Sequence, residues 1–181
     1  MQTTIKFIIN TKTWVTDNQR KNTIDRQMLV ETVDQIINLL QPEAYQGNMA
    51  VHSRQQVEQA IKRNEAIIAL TNAKKIVGFV YLLPWKNHVE IAGLVVHPNY
   101  RQQKIGAKLF RKAIALAKRQ HPQKTIIFFA NNISKNIGKK HGFSMAPKLL
   151  THQEFAGLCQ DCLKSYKKPN NCHCQVMILT K

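Results

Sequence analysis

The chain has 181 residues, 44% of them hydrophobic and 20% charged, which suits one domain with a full core and is short for two. No run approaches the ~18 consecutive apolar residues of a membrane span. The opening MQTTIKFIINTKTW lacks the cationic start and small-residue cleavage site of a secretory leader, so the expectation is a cytoplasmic protein with no membrane partner. Charge is the departure, with 27 Lys and Arg against 10 Asp and Glu, a formal +17. Between Ile91 and His152 twelve basic residues occur and no acidic one. A one-signed stretch points to an anionic partner, which a polyphosphate, a nucleic acid or a dicarboxylate would satisfy, with plain solubility as the bland alternative.

Taken in chain order, Ile5–Asn10 reads as a strand, and the polar TDNQRKNT at 16–23 as a loop. In residues 29–40, Leu29, Val33, Ile36, Ile37 and Leu40 fall on one helical face. Ser53 opens a second helix with Gln56 at the capping-box position and a stripe of Val57, Ala60 and Ile61. Three strand-like segments follow, at 65–71, 75–83 and 88–96, the first two joined by a hairpin-length turn. Residues 105–119 form an amphipathic helix, with Ile105, Leu109, Phe110, Ala113, Ile114 and Ala117 inward and Lys108, Arg111, Lys112, Lys118 and Arg119 outward. A buried-type strand at 125–130, a short helix at 131–141 and a closing strand at 174–180 complete the order. The result is an α/β (α+β) fold, a mixed central sheet with helices on both faces.

The passage HPNYRQQKIGAKLF, residues 97–110, carries the most chemistry. An apolar strand runs through a tight turn into a basic helix that opens at about Lys104–Gly106. Free amides at a helix N-terminus and the positive end of its dipole make an anion site. Gly106 removes a side chain where a pyrophosphate would press on the backbone, and Arg101, Lys104 and Lys108 add cations around it. Glu90 is the only carboxylate between Glu65 and Glu154 and sits in an otherwise apolar strand, where desolvation raises a carboxyl pKa toward the range of a general base. A strand-edge carboxylate facing solvent or holding an ammonium is the other reading. His88, two residues earlier on the same face, is the second candidate base.

IAGLVVHPNYRQQKIGAKL resembles the acetyl-CoA-binding motif of the GNAT (GCN5-related) N-acetyltransferase superfamily, in which Arg/Gln-x-x-Gly-x-Gly/Ala follows a strand and a His-Pro. Gly106 keeps the second glycine, while Lys104 stands where the first is usual. NNISKNIGKKHGF, beginning at Asn131, is similar to the family's later motif. The likeness covers roughly residues 29–147 and is fullest toward the acetyltransferase domain of N-acetylglutamate synthases, whose counterparts are seen in residues 39–61, Leu83-Pro84 and VEIAGLVVHPNYR. The resemblance implies one acyl-CoA N-acyltransferase domain over residues 1–181, with acetyl-CoA as cosubstrate and a small primary amine, such as an amino acid, attacking the thioester directly. It implies that the amides of Leu94, Val95 and Val96 hold the thioester and pantetheine. The pyrophosphate would lie on Arg101, Gln102, Gln103, Lys104, Ile105, Gly106, Ala107 and Lys108, with Asn131 beside the coenzyme. The place of Glu90, sixteen residues before Gly106, resembles that of the catalytic glutamate in several GNAT enzymes. The tyrosine acid of many members falls at Gly138, so water or Ser134 would serve the leaving thiolate. A homodimer is part of the expectation, and the competing reading is a coenzyme-binding module that uses its basic surface on RNA or the ribosome.

All four cysteines lie late, as Cys159-x2-Cys162-x9-Cys172-x-Cys174. The spacing suits a tetrahedral structural zinc that pins the Cys-rich excursion at 155–174, with His152 and His173 as substitute ligands. Free buried thiols or disulfides are the alternatives.

Overall fold

In a computed structural model, residues 4–9, 26–132, 134–146 and 175–180 are described. The elements are β1 (Ile5–Ile8), α1 (Arg26–Tyr45), α2 (Arg54–Lys62), β2 (Ala66–Thr71), β3 (Ile76–Pro84), β4 (His88–Val96), α3 (Ile105–Gln120), β5 (Thr125–Ala130), α4 (Lys135–Lys140), β6 (Phe143–Met145) and β7 (Gln175–Leu179), with a 3₁₀ turn at Pro98–Tyr100. The strands join in one seven-stranded sheet of order β1-β2-β3-β4-β5-β7-β6. Among the described strands, only the central β4–β5 pair is parallel.

Strands β2 and β3 are covered on both faces, which is why their sequences run apolar without alternation. On one face α3 seats Ile105, Leu109, Phe110, Ala113, Leu116 and Ala117 against Val77, Val80, Val89 and Ile91. On the other, Leu29, Val33, Ile36 and Leu40 of α1 and Val57 and Ile61 of α2 pack on Ile68, Phe79, Tyr81 and Ala92. Leu116 replaces Ile114 in the innermost row of α3, and Ile114 is only partly buried. Helix α1 outruns its expected end at residue 40, because Ala44 continues the buried stripe and Pro42 lies on the exposed side of the turn. The expected capping box of α2 is formed: Gln56 N donates to Ser53 Oγ at 3.1 Å and Ser53 N to Gln56 Oε1 at 2.8 Å.

Two local features place the site. Phe79 and Tyr81 of β3 stand opposite Val95 and Ala92 of β4, so between them Val80 alone opposes Gly93 and Leu94, and β4 bulges. Gly93 takes up the extra residue at φ +62°, and a β-carbon there would lie 2.9 Å from Tyr81 Cε1. Meanwhile the parallel pairing of β4 with β5 runs from His88↔Thr125 only to Glu90↔Ile127. Beyond Glu90 the two strands part, and β5 completes its bonding with β7 through Ala130.

Candidate active site at the parting of β4 and β5

Between the parted strands lies a cleft of about 490 Å³. It opens at the carboxyl ends of two parallel strands, the usual place for a ligand in an α/β sheet. Leu94, Val95 and Val96 form one wall, the loop and first turn of α3 the floor, and Asn131, Ser134 and Ile137 the facing wall. Of the residues expected around the coenzyme, all except Gln103 and Lys108 line this one cleft.

The floor has the backbone of an anion site. The first bond inside α3 runs from Lys108 N to Lys104 O at 3.0 Å, so the amides of Ile105, Gly106 and Ala107 precede the helical ladder. Lys104, the residue that replaces a family glycine, is left-handed at φ 60°, as is Gln102 at φ 63°. That is the physical reason glycine is usual at the first of these positions, since a side chain there costs about 1–2 kcal/mol. Gly106 is a different kind of glycine. A β-carbon on it would meet only Val96 Cγ2, at 3.6 Å, so protein packing leaves the space open toward the cleft. The floor therefore fits a pyrophosphate, with Ile105–Ala107 to hold it.

Arg101 faces the cleft with its charge already engaged. Its Nε donates to Val96 O at 3.1 Å and its guanidinium is paired with Glu43. Glu43 also accepts from Asn48 Nδ2 at 2.9 Å, and Asn131 Nδ2 reaches across to Asn48 O at 2.5 Å. The end of α1 and the loop after it are thus tied to both walls. Glu43, Asn48 and Met49 line the cleft and were not singled out in the sequence.

Glu90 is the last β4 residue paired with β5; it is buried, and it is not among the residues that line the cleft. Burial pushes its pKa up to about 7, partly offset by the Trp85 indole N–H, which donates to Glu90 Oε2 at 3.3 Å. His88 lies two residues toward the closed end of the pairing, opposite Thr125, and so away from the opening. Gly138 cannot carry a side chain, because a β-carbon would fall 2.4 Å from Phe128 Cε1 and 3.1 Å from Met177 Sδ. Helix α4 lies flush on β5, so a tyrosine is sterically excluded there. The Ser134 hydroxyl donates to Asn131 Oδ1 at 3.0 Å and accepts from Asn131 N at 3.0 Å, closing the turn into α4. Cys159, Cys162, Cys172 and Cys174, together with His152 and His173, lie outside the described residues.

A mixed sheet whose central parallel strands part over a helix N-terminus defines a fold with an anion-binding opening at that point. The model of the Acetyltransferase (GNAT) family matches residues 33–143, and the chain belongs to that family. Among curated relatives, an amino-acid acetyltransferase of Pectobacterium atrosepticum is 27% identical over 108 residues, 60% of this chain and 24% of its own length. One from Shewanella oneidensis is 32% identical over 95 residues, 51% of this chain and 21% of its own. The chain thus spans about a quarter of the length of the relatives it matches. Among solved structures, Rv2747 of Mycobacterium tuberculosis, in complex with CoA, superposes with a TM-score of 0.64 at 21% identity, covering 83% of this chain and 95% of that one. N-acetylglutamate synthase of Neisseria gonorrhoeae, complexed with coenzyme A and N-acetyl-glutamate, gives a TM-score of 0.64 at 18% identity, over 100% of this chain and 36% of that one. These likenesses establish the fold, a GNAT-type mixed sheet with helices on both faces.

Proposed function

We propose that the protein is an acetyl-CoA-dependent N-acetyltransferase acting on a small primary amine, with amino acids, glutamate among them, as the leading acceptor class. The observation that carries this is Glu90, a buried carboxyl with a pKa of about 7 at the last β4 residue paired with β5, four residues before the Leu94–Val96 wall of a cleft that fits a phosphorylated coenzyme. The amino-acid acetyltransferase relatives and the N-acetyl-glutamate complex support the acceptor class.

Acetyl-CoA, when bound, supplies the thioester that the amine attacks. The amides of Ile105–Ala107 hold its pyrophosphate, and the β4 backbone at Leu94–Val96, freed from β5, holds the pantetheine and polarises the acyl oxygen. Glu90 takes the proton the ammonium must lose before its nitrogen can attack. The C–N bond forms as the C–S bond breaks, and a coenzyme thiolate, with a thiol pKa of about 8.5, leaves without a dedicated acid. That agrees with the closed position at Gly138 and the committed hydroxyl of Ser134.

The test is thiol release from acetyl-CoA with a panel of amino acids, polyamines, aminoglycosides and basic peptides. At least one amine is expected to support turnover, and Glu90→Gln to cut it by about 10²–10⁴-fold. The basic stretch from Ile91 to His152 favours a second reading, a coenzyme-binding module that docks on nucleic acid. Coenzyme binding without turnover on any amine, together with a salt-sensitive shift of RNA, would select that second reading.

A further inference from the structure

A site for a phosphate is furnished with amides and cations, and this one also contains a carboxylate. Glu43 is the only acidic residue among those that line the cleft, where Arg101 and Lys104 are the cations. It stands in the last turn of α1, at the negative end of the helix dipole, and that turn holds no basic residue to offset it. Its side chain is only 17% exposed, so water screens the charge in part.

The local fold does not depend on that charge. The chain leaves α1 through backbone bonds, from Gly47 N to Ala44 O at 2.9 Å and from Asn48 N to Glu43 O at 2.8 Å, with Gly47 left-handed at φ 72°. The bond from Asn48 Nδ2 to Glu43 Oε2 is one that an amide oxygen would accept equally. What the carboxylate adds is its other oxygen, Oε1, which takes Nη2 of Arg101 from 58 residues away. Arg101 has an anchor of its own in the bond from Nε to Val96 O at 3.1 Å. That anchor keeps the guanidinium at the cleft whichever anion its Nη atoms hold.

Resting on the reading of this cleft as the coenzyme site, we propose that Glu43 is an affinity-determining residue for the coenzyme. It holds Arg101 as an internal stand-in for phosphate, and the pyrophosphate displaces it. Seated on the amides of Ile105–Ala107, a pyrophosphate brings two negative charges and several acceptor oxygens toward Arg101, against the single charge of Glu43. The guanidinium passes to the phosphate, and Glu43 keeps Asn48. The exchange sets a threshold, because a singly charged anion meets an Arg101 that is already satisfied. It also frees the end of α1 from the cleft floor, while Asn131 Nδ2 still holds Asn48 O at 2.5 Å.

The experiment is calorimetry with coenzyme A on wild type, Glu43→Gln and Glu43→Asp. Both variants are expected to bind about threefold or more tightly than wild type, since each takes the competitor off Arg101. Aspartate keeps the charge and is one methylene short of Arg101, so it separates a contest for the guanidinium from plain repulsion of the ligand. Wild-type or weaker affinity in either variant would overturn the exchange. In Glu43→Asp alone it reduces Glu43 to its net charge, and in both it marks a brace that the site needs. A crystal structure of the coenzyme A complex is the second readout. Arg101 on a pyrophosphate oxygen and off Glu43 is expected, and Arg101 still on Glu43 would sink the proposal while leaving the coenzyme site in place. A wild type that binds no coenzyme A defeats the coenzyme reading and the exchange with it.

Discussion

The two halves of β4 divide the work of the site in opposite ways. From Leu94 to Val96 the strand is parted from β5 and borders an open cleft whose floor is backbone amide and cationic side chain. From His88 to Glu90 it is paired on both sides, and its one carboxyl is shut away from water. The open half achieves recognition with groups that cost little, since amides at a helix start need a partner anyway. The closed half must hold a group that water would stabilise better. On the proposed reading, recognition costs the fold little, and basicity is bought with stability.

The sharpest way to test that contrast is to neutralise the closed half. The pKa of Glu90 in the folded chain, about 7, is above the ordinary value of 4.5, so the folded state holds that proton more tightly than the unfolded one. Stability therefore falls as pH rises from about 4.5 to 7 and stays lower above that. Glu90→Gln is expected to match wild type in urea unfolding at pH 4.5 and to exceed it by on the order of 3 kcal/mol at pH 8.5. Equal stability of the two proteins at both pH values would mean that the carboxyl is not desolvated.

A smaller effect separates two glycines that look alike in the sequence. Gly138→Ala pushes a methyl into Phe128, which belongs to a ring cluster with Phe110 and Phe143, and is expected to cost about 2 kcal/mol in denaturant unfolding. Gly106→Ala meets only an ordinary contact and should change stability by less than about 1 kcal/mol. Its cost should appear instead as weaker coenzyme binding by calorimetry. The reverse pattern would break the assignment of the cleft floor.

The smallest effect concerns the loop itself. Lys104→Gly relieves a left-handed side chain, and the gain is partly offset by the greater freedom of glycine when unfolded. A stabilisation of at most about 1 kcal/mol is expected by thermal unfolding, and a loss would show that the Lys104 side chain makes a stabilising contact.

How much of this was legible in the sequence depended on whether the signal was local. The strand, turn and basic helix around Gly106 read correctly because their signals lie within one short segment. The α2 cap is local in the same sense. Strand β6 escaped notice because three residues carry no periodicity, and among the described residues they pair with β7 alone. Tyr81 was not singled out within its strand, and its partner His52 is 29 residues away. Glu43 lay beyond the helix expected over 29–40 and was not singled out, and its tie to Arg101 spans 58 residues. Trp85 reaches Glu90 only because the β3–β4 turn folds back on the strand it precedes. Each of these depends on tertiary contact, which composition and spacing do not carry.

The central claim is that Glu90, held near neutral pKa at the parting of the strands, is the base. Its most direct test is the pH dependence of kcat/KM for the amine in wild type and Glu90→Gln. The account predicts a rate that falls about tenfold per pH unit below a midpoint near 7 in wild type. The same limb should vanish in a much slower Glu90→Gln enzyme. A Glu90→Gln enzyme that keeps both the rate and the limb would contradict it.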